Sequence, residues 1–293
     1  MLKSDGNQIL FVQDIILLPL FIMVVLLVAF IIKNTRYRNV TEAKYFIPAL
    51  VIKIIGGLAM GSVYLFYYGG GDTFYYYYDA KTFSDSIGQS FGLFLKLLFL
   101  PAKTITIDTY ESTKWLVYFN DHSGWAAAKV FGILSILTLH SYPAMTVLIA
   151  SLSFTGAWAL YRTFTDLYQK LYKQFALAIL FMPSVFFWGS GILKDSITFG
   201  CLGWMAYTAY LIFFKGRNIF WNSVVLFFTG YLAIMLKAYI VISFVPALLF
   251  WIFFTYRSKI KNQFIKVVSG PALFAIALLF AFLMVQLLGA EFS

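Results

Sequence analysis

The feature that most constrains this chain is the way its cations punctuate its apolar runs. Uncharged stretches near the length that carries a helix across a bilayer, about 20 residues, alternate with short clusters of lysine and arginine. The clusters are Lys33, Arg36, Arg38 and Lys44; Arg162, Lys170 and Lys173; Lys215 and Arg217; and Arg257, Lys259, Lys261 and Lys266. Cations bunched in this way mark cytoplasmic loops, where they set orientation. A net charge of +10 invites a nucleic-acid reading, but charge divided among loop ends makes no continuous basic face. No nucleic-acid partner is expected.

Composition agrees. Hydrophobic residues make up 61% of the chain and charged residues 12%, against about 25% charged in soluble domains. The expectation is an all-α polytopic membrane protein, a single integral membrane domain over residues 1–293. The apolar runs are continuous rather than alternating, which excludes an outer-membrane barrel. Spans are expected near 14–32, 46–68, 143–162, 175–190, 196–214, 219–236, 238–255 and 271–288. The first basic cluster holds its loop inside, so the N-terminus and the loop 69–125 face outward. The N-terminal run reads as a retained helix rather than a signal peptide.

The stretch Ala126 to Leu139 is apolar but short. Counting it as a crossing would turn Arg162, Lys170 and Lys173 outward, and runs of this length are more often re-entrant or interfacial. About eight transmembrane helices plus one re-entrant or interfacial segment are therefore expected. This topology brings the 189–195 turn, Lys237 and the corner at His140 to the outer side. Within the outer loop, residues 81–100 read as an interfacial helix with Lys96 snorkelling. Trp115 and Trp125 suit headgroup level. Lys53 is expected to snorkel inward.

Asp72, Asp79, Asp85, Asp108, Glu111 and Asp121, six of the twelve acidic residues, lie in that one outer loop. Charge near a bilayer is costly unless solvated, paired or functional. The loop opens with GGGDTFYYYYD, from Gly69 to Asp79. In a helix, Asp72 and Asp79 share one face. They suit a general base or a divalent cation site, and such a cation is the one cofactor the sequence suggests. The simpler reading of Asp72 is a helix N-cap. Tyr75 and Tyr76 read either as an interfacial belt or as a platform for a sugar or acceptor ring.

A second stretch, MPSVFFWGSGILKDS from Met182 to Ser196, breaks two apolar runs with Gly-Ser-Gly. Helix breaks at membrane depth are tolerated where they line a cavity. Lys194 then opens the next span, either cancelling against Asp195 or holding a phosphate at a helix N-terminus. Lys237 lies between apolar residues and either snorkels or supplies a second cation for a phosphate. His140 reads as a packing residue. Cys201 is the single cysteine, so no disulfide forms within the chain, and two histidines are too few for a histidine-based metal site.

At these residues the chain resembles the GT-C superfamily of membrane glycosyltransferases, which use polyprenyl-phosphate-linked sugars. GDTFYYYYDA is similar to the acidic motif that opens their first outer loop. PSVFFWGSGILKDS is similar to segments of bacterial membrane proteins of surface-polysaccharide synthesis, including sugar transferases and polymerases. The resemblance covers roughly the second span to the seventh. It implies a GT-C-like helical fold in the bacterial inner membrane, with Asp72 as the catalytic carboxylate on the outer face and Asp79 beside it. Lys194 and Lys237 would hold the lipid phosphate of a polyprenyl-phosphate-linked sugar. The rival readings are a polysaccharide polymerase or ligase using a lipid-pyrophosphate oligosaccharide, a non-catalytic envelope subunit, and a lipid transporter. No arginine lies between 39 and 161, which weighs against the polymerase.

Overall fold

A computed structural model describes residues 3–4 and 7–292, apart from the side chains of 3–4, 7, 265–267, 281 and 287–292. Lys266 of the last basic cluster thus lies outside the described side chains. Apart from a two-residue pairing of Lys3–Ser4 with Asn7–Gln8, the described chain is helical. In order the helices are α1 (Asp14–Arg36), α2 (Phe46–Val63), α3 (Asp72–Gln89), α4 (Phe91–Phe99), α5 (Tyr110–Thr113) and α6 (His122–Leu137). There follow α7 (Tyr142–Leu167), α8 (Tyr172–Phe175), α9 (Pro183–Trp188), α10 (Lys194–Tyr210), α11 (Ile219–Tyr256) and α12 (Gln263–Phe292). Six of the described helices are long and apolar enough to cross a membrane, which fits an all-α membrane protein.

The core of the arrangement is α7 against α10. A Cβ built on Gly156 would lie 2.0 Å from the Gly200 carbonyl oxygen, and one on Gly203 would lie 2.0 Å from that of Gly156. Only glycine permits backbones this close. Gly200 also faces Ser153, so 153 pairs with 200 and 156 with 203. The same register continues to the helix ends, where Asp166 meets Lys215 at 3.0 Å. The two helices therefore run parallel. α2 runs against them, because Gly57 faces Thr146 and Gly61 faces Tyr142.

Parallel neighbours require the intervening chain to return along their length. Residues 168–193 do so in pieces. Tyr172 accepts a hydrogen bond from Tyr161 at one end, Phe186 reaches Gly56 and Gly191 reaches Met60, and Lys194 arrives at the other end. The continuous span expected at 175–190 is thus replaced by α8, a π-helical turn at Ala176–Leu180 and the short α9. Pro183 has no amide hydrogen and disfavours helix at Met182, whose backbone is extended.

A straight α11 of 38 residues would measure about 57 Å, nearly twice a bilayer core of about 30 Å. It is not straight. Lys237 has φ −153° and ψ 79° in its middle. Lys237 reaches Asp195 at one end of α10, while Tyr256 donates to the Phe213 carbonyl at the other. Ile219 follows Lys215 almost directly, so both ends of α11 lie together and the helix folds back at Lys237. The expected boundary between 219–236 and 238–255 falls at that residue.

α6 begins and ends at one end of the bundle. Asp121 at its start contacts Lys194, and the carbonyls just past its end accept from Gln13 and Tyr77. The interfacial helix expected over 81–100 is instead α3 and α4, separated by extended Ser90, whose hydroxyl caps α4. Lys96 is paired with Asp108 at 2.6 Å rather than snorkelling alone. Trp125, expected at headgroup level, is 2% exposed and donates to the Leu100 carbonyl. Lys53, expected to snorkel inward, is 3% exposed and donates to the Gly189 carbonyl at 2.7 Å.

The tight α7–α10 contact predicts that Gly156→Ala lowers thermal stability by about 1–3 kcal/mol, the usual cost of overpacking. An exposed-face substitution at Thr155 should cost less. In a Cys201→Ala background, single cysteines at Ile107 and Gln169, exposed at opposite ends, should react with a membrane-impermeant maleimide from opposite sides of intact membranes.

Candidate functional site

The end that receives Lys194 and Lys237 also carries the start of α3. Gly71, with φ 120° and ψ −170°, precedes α3, and its carbonyl accepts from Phe74 and Tyr75. A side chain would be strained at that φ. Asp72 is the first helical residue, Gly71 rather than Asp72 holding the cap position. It is exposed, and its Oδ1 accepts from the Tyr118 hydroxyl at 2.9 Å.

Asp79 stands two turns along the same face, as its spacing predicts, but in a different environment. It is 2% exposed, and its two oxygens accept the amides of Val117 and Tyr118 at 3.0 and 2.8 Å. Burial raises its carboxyl to about 6, partly offset by those two amide bonds. Asp79 thereby fastens the 114–121 segment to α3 and sets where Tyr118 stands. With both oxygens committed and sealed from solvent, Asp79 does not fit a shared cation site with Asp72. Among the described residues no group of three or more His, Cys, Asp or Glu side chains is arranged for a metal.

Tyr76 is 3% exposed and stacks on Tyr118, centroids 4.2 Å apart and planes at 13°. One of its faces is therefore occupied and it is not an open platform; Tyr75 beside it is half-buried. Burial pushes the Tyr76 phenol up, and the carboxylates of Asp72, Asp121 and Asp195 add to the effect. Tyr118 is raised likewise by burial, then by Tyr76 and Asp72. Both rings remain protonated donors at neutral pH.

The Lys194 ammonium lies 5.9 Å from the Tyr76 ring centroid. It donates to Ser123 Oγ at 2.8 Å and lies 3.4 Å from Asp121 Oδ2. Asp121 caps α6, accepting from the amides of Ser123 and Gly124. Lys237 pairs with Asp195 Oδ1 at 2.6 Å. The sequence expectation that Lys194 and Asp195 cancel each other is replaced by two cross-pairs, and Lys237 is not an unpartnered cation. Adjacent helical residues point in different directions, which is why the i,i+1 pair does not form.

The structure thus gathers Asp72, Tyr76 and Lys194 at the Tyr76–Tyr118 stack, with Lys237 held one residue from Lys194 through Asp195. Tyr118, Asp121 and Ser123 complete the group and were not singled out. Asp121-His122-Ser123 ahead of an apolar run carries an N-cap signature; nothing in sequence marks Tyr118. His140 sits nearby, its Nε2 3.6 Å from Asp85.

Chemically, an open carboxylate is oriented by one phenol of the stack, and a lysine at a helix N-terminus stands near the other. Comparison of the chain with protein-family models, curated proteins and solved structures returns no match.

Replacing Asp79 with Ala leaves two amides without an acceptor. It should lower thermal stability by about 1–3 kcal/mol and speed hydrogen exchange at Val117 and Tyr118 more than at Phe131.

Proposed function

We propose that this end is the active face of a membrane glycosyltransferase moving a sugar from a polyprenyl-phosphate donor to an acceptor hydroxyl. The observation that carries the reading is the pairing of functions around one aromatic stack. Asp72 is open and oriented by Tyr118. Lys194 stands with Ser123 near Tyr76, at the first residue of the 17-residue α10.

In the reaction the acceptor oxygen attacks the anomeric carbon and the bond from that carbon to the phosphate oxygen breaks. Asp72 takes the hydroxyl proton, and the lipid phosphate leaves with the bonding electron pair. Lys194, Ser123 and the amides opening α10 suit that phosphate, since a helix N-terminus and a lysine both favour negative charge. The long 3.4 Å contact with Asp121 leaves Lys194 able to exchange a carboxylate for a phosphate. The shorter Lys237–Asp195 pair suits a different task, holding the turn of α11 against α10.

The membrane arrangement belongs to the same proposal. Eight crossings are counted as α1, α2, α7, the broken return 168–193, α10, the two arms of α11, and α12. The basic clusters gather at the end away from Asp72, so the positive-inside rule turns Asp72 outward, toward the periplasmic side of a bacterial inner membrane.

The test is transfer from a panel of polyprenyl-phosphate hexoses by the purified protein in lipid nanodiscs. Asp72→Asn should slow transfer by about a hundredfold or more with donor binding retained. Lys194→Ala should weaken donor binding first. Transfer by Asp72→Asn at the unsubstituted rate, or no consumption of any lipid-linked sugar, would overturn the proposal.

A further inference from the structure

At the opposite end of the bundle, α1, α2, α7 and α10 enclose a cavity of about 290 Å³. Its walls are apolar along Val24, Val28, Leu50 and Phe154, and basic only where Arg36 and Arg162 line it. Among the described residues neither arginine has a carboxylate within ion-pairing distance. Asp166, one turn from Arg162, is held by Lys215 at 3.0 Å and by the Tyr210 hydroxyl. Arg162 rests over the Tyr37 ring at 5.7 Å.

Two buried donors of residues that line the cavity are orphaned. Trp158 lines the cavity and is 3% exposed, and its indole N–H has no hydrogen-bond partner. Nη1 of Arg162 is likewise buried without one. Buried unpaired donors are uncommon, and each costs on the order of 1–3 kcal/mol. Indole and guanidinium only donate, so the missing partner is an acceptor. Arg162 feels Asp166 only at longer range, and two guanidiniums with no ion-paired carboxylate favour an anion as that acceptor, guanidinium geometry suiting phosphate oxygens. A free phosphate would leave the apolar length of the cavity unfilled.

We propose that this cleft is a site for one acidic phospholipid of the surrounding leaflet. Part of an acyl chain lies along Val24, Val28 and Phe154, and the phosphate lies among Arg36, Arg162 and the Trp158 indole. Basic pockets between transmembrane helices bind lipid headgroups on this principle. The volume lies at the lower edge of ligand pockets, roughly 300–1,000 Å³, so the cleft encloses one stretch of chain and leaves the rest in the bilayer. The site is at the other end of the helices from Asp72 and does not rest on the transferase reading.

The protein, stripped of lipid in neutral detergent, is titrated with phosphatidylglycerol, with phosphatidylcholine of the same chains, and with inorganic phosphate. Bound lipid is counted by native mass spectrometry and the unfolding temperature recorded. Phosphatidylglycerol should be retained and raise the unfolding temperature, phosphatidylcholine should be lost, and inorganic phosphate should do neither. Arg162→Gln should weaken phosphatidylglycerol retention about tenfold or more, the scale of one charge-assisted hydrogen bond. Trp158→Phe, which keeps the ring and removes the N–H, should weaken it less. Equal retention of the two lipids by the unsubstituted protein overturns the proposal whether or not the variants fold. So does the same stabilisation by inorganic phosphate, or undiminished phosphatidylglycerol retention by a folded Arg162→Gln.

Discussion

Backbone contact between α7 and α10 is the constraint on which the rest of the structure depends. Gly156, Gly200 and Gly203 let two helices approach so closely that they lock in parallel. Neighbours that run parallel and follow each other in sequence oblige the linking chain to travel back beside them. In an apolar setting every backbone group on that return path needs an internal partner. The broken segment meets this demand with side chains. Lys53 and Ser153 both donate to the Gly189 carbonyl, Ser190 to that of Phe186 and Ser196 to that of Gly191. Lys53 is thus explained as a staple, since a buried ammonium in a bundle is otherwise costly.

The return path delivers Lys194 to the end where α3 and α6 begin, and the fold-back of α11 delivers Lys237 to the same place. Residues from four separate parts of the chain meet there because α7 and α10 point the same way. The opposite end collects arginine and lysine, with Asp166 tied to Lys215 and Tyr210. The two ends of the molecule therefore differ in chemistry. One carries carboxylates, phenols and paired lysines, with Asp72 exposed among them; the other carries arginines that line an apolar cleft.

Much of this was legible in the chain, for definable reasons. Helical class and six membrane-length helices follow from apolar run length, and the placing of Asp72, Lys194 and Lys237 at one end of the bundle from where cations fall. What was not legible were the side-chain partners. Asp79 looked like a second catalytic carboxylate because spacing reports the face of a helix and not what covers it; Val117 and Tyr118 lie 38 and 39 residues further on. Lys237 looked unpartnered, and Lys194 looked paired with its neighbour Asp195 or with a phosphate, for the same reason: their carboxylates come from other elements. Lys53 misled because a lysine within an apolar run usually snorkels, and only the fold reveals a broken helix offering it a carbonyl.

The parallel register of α7 and α10 is tested most directly by paired cysteines in a Cys201→Ala background. Ser153→Cys with Gly200→Cys should form a disulfide on oxidation in native membranes. Asp166→Cys with Lys215→Cys should be joined by a short bis-maleimide, because both lie toward the C-terminal ends of their helices. Linkage of both pairs is the predicted result. Linkage at 153 and 200 without linkage at 166 and 215 would mean that the helices merely cross or run antiparallel. The return of residues 168–193, and the gathering of Lys194 with Asp72, would then be contradicted.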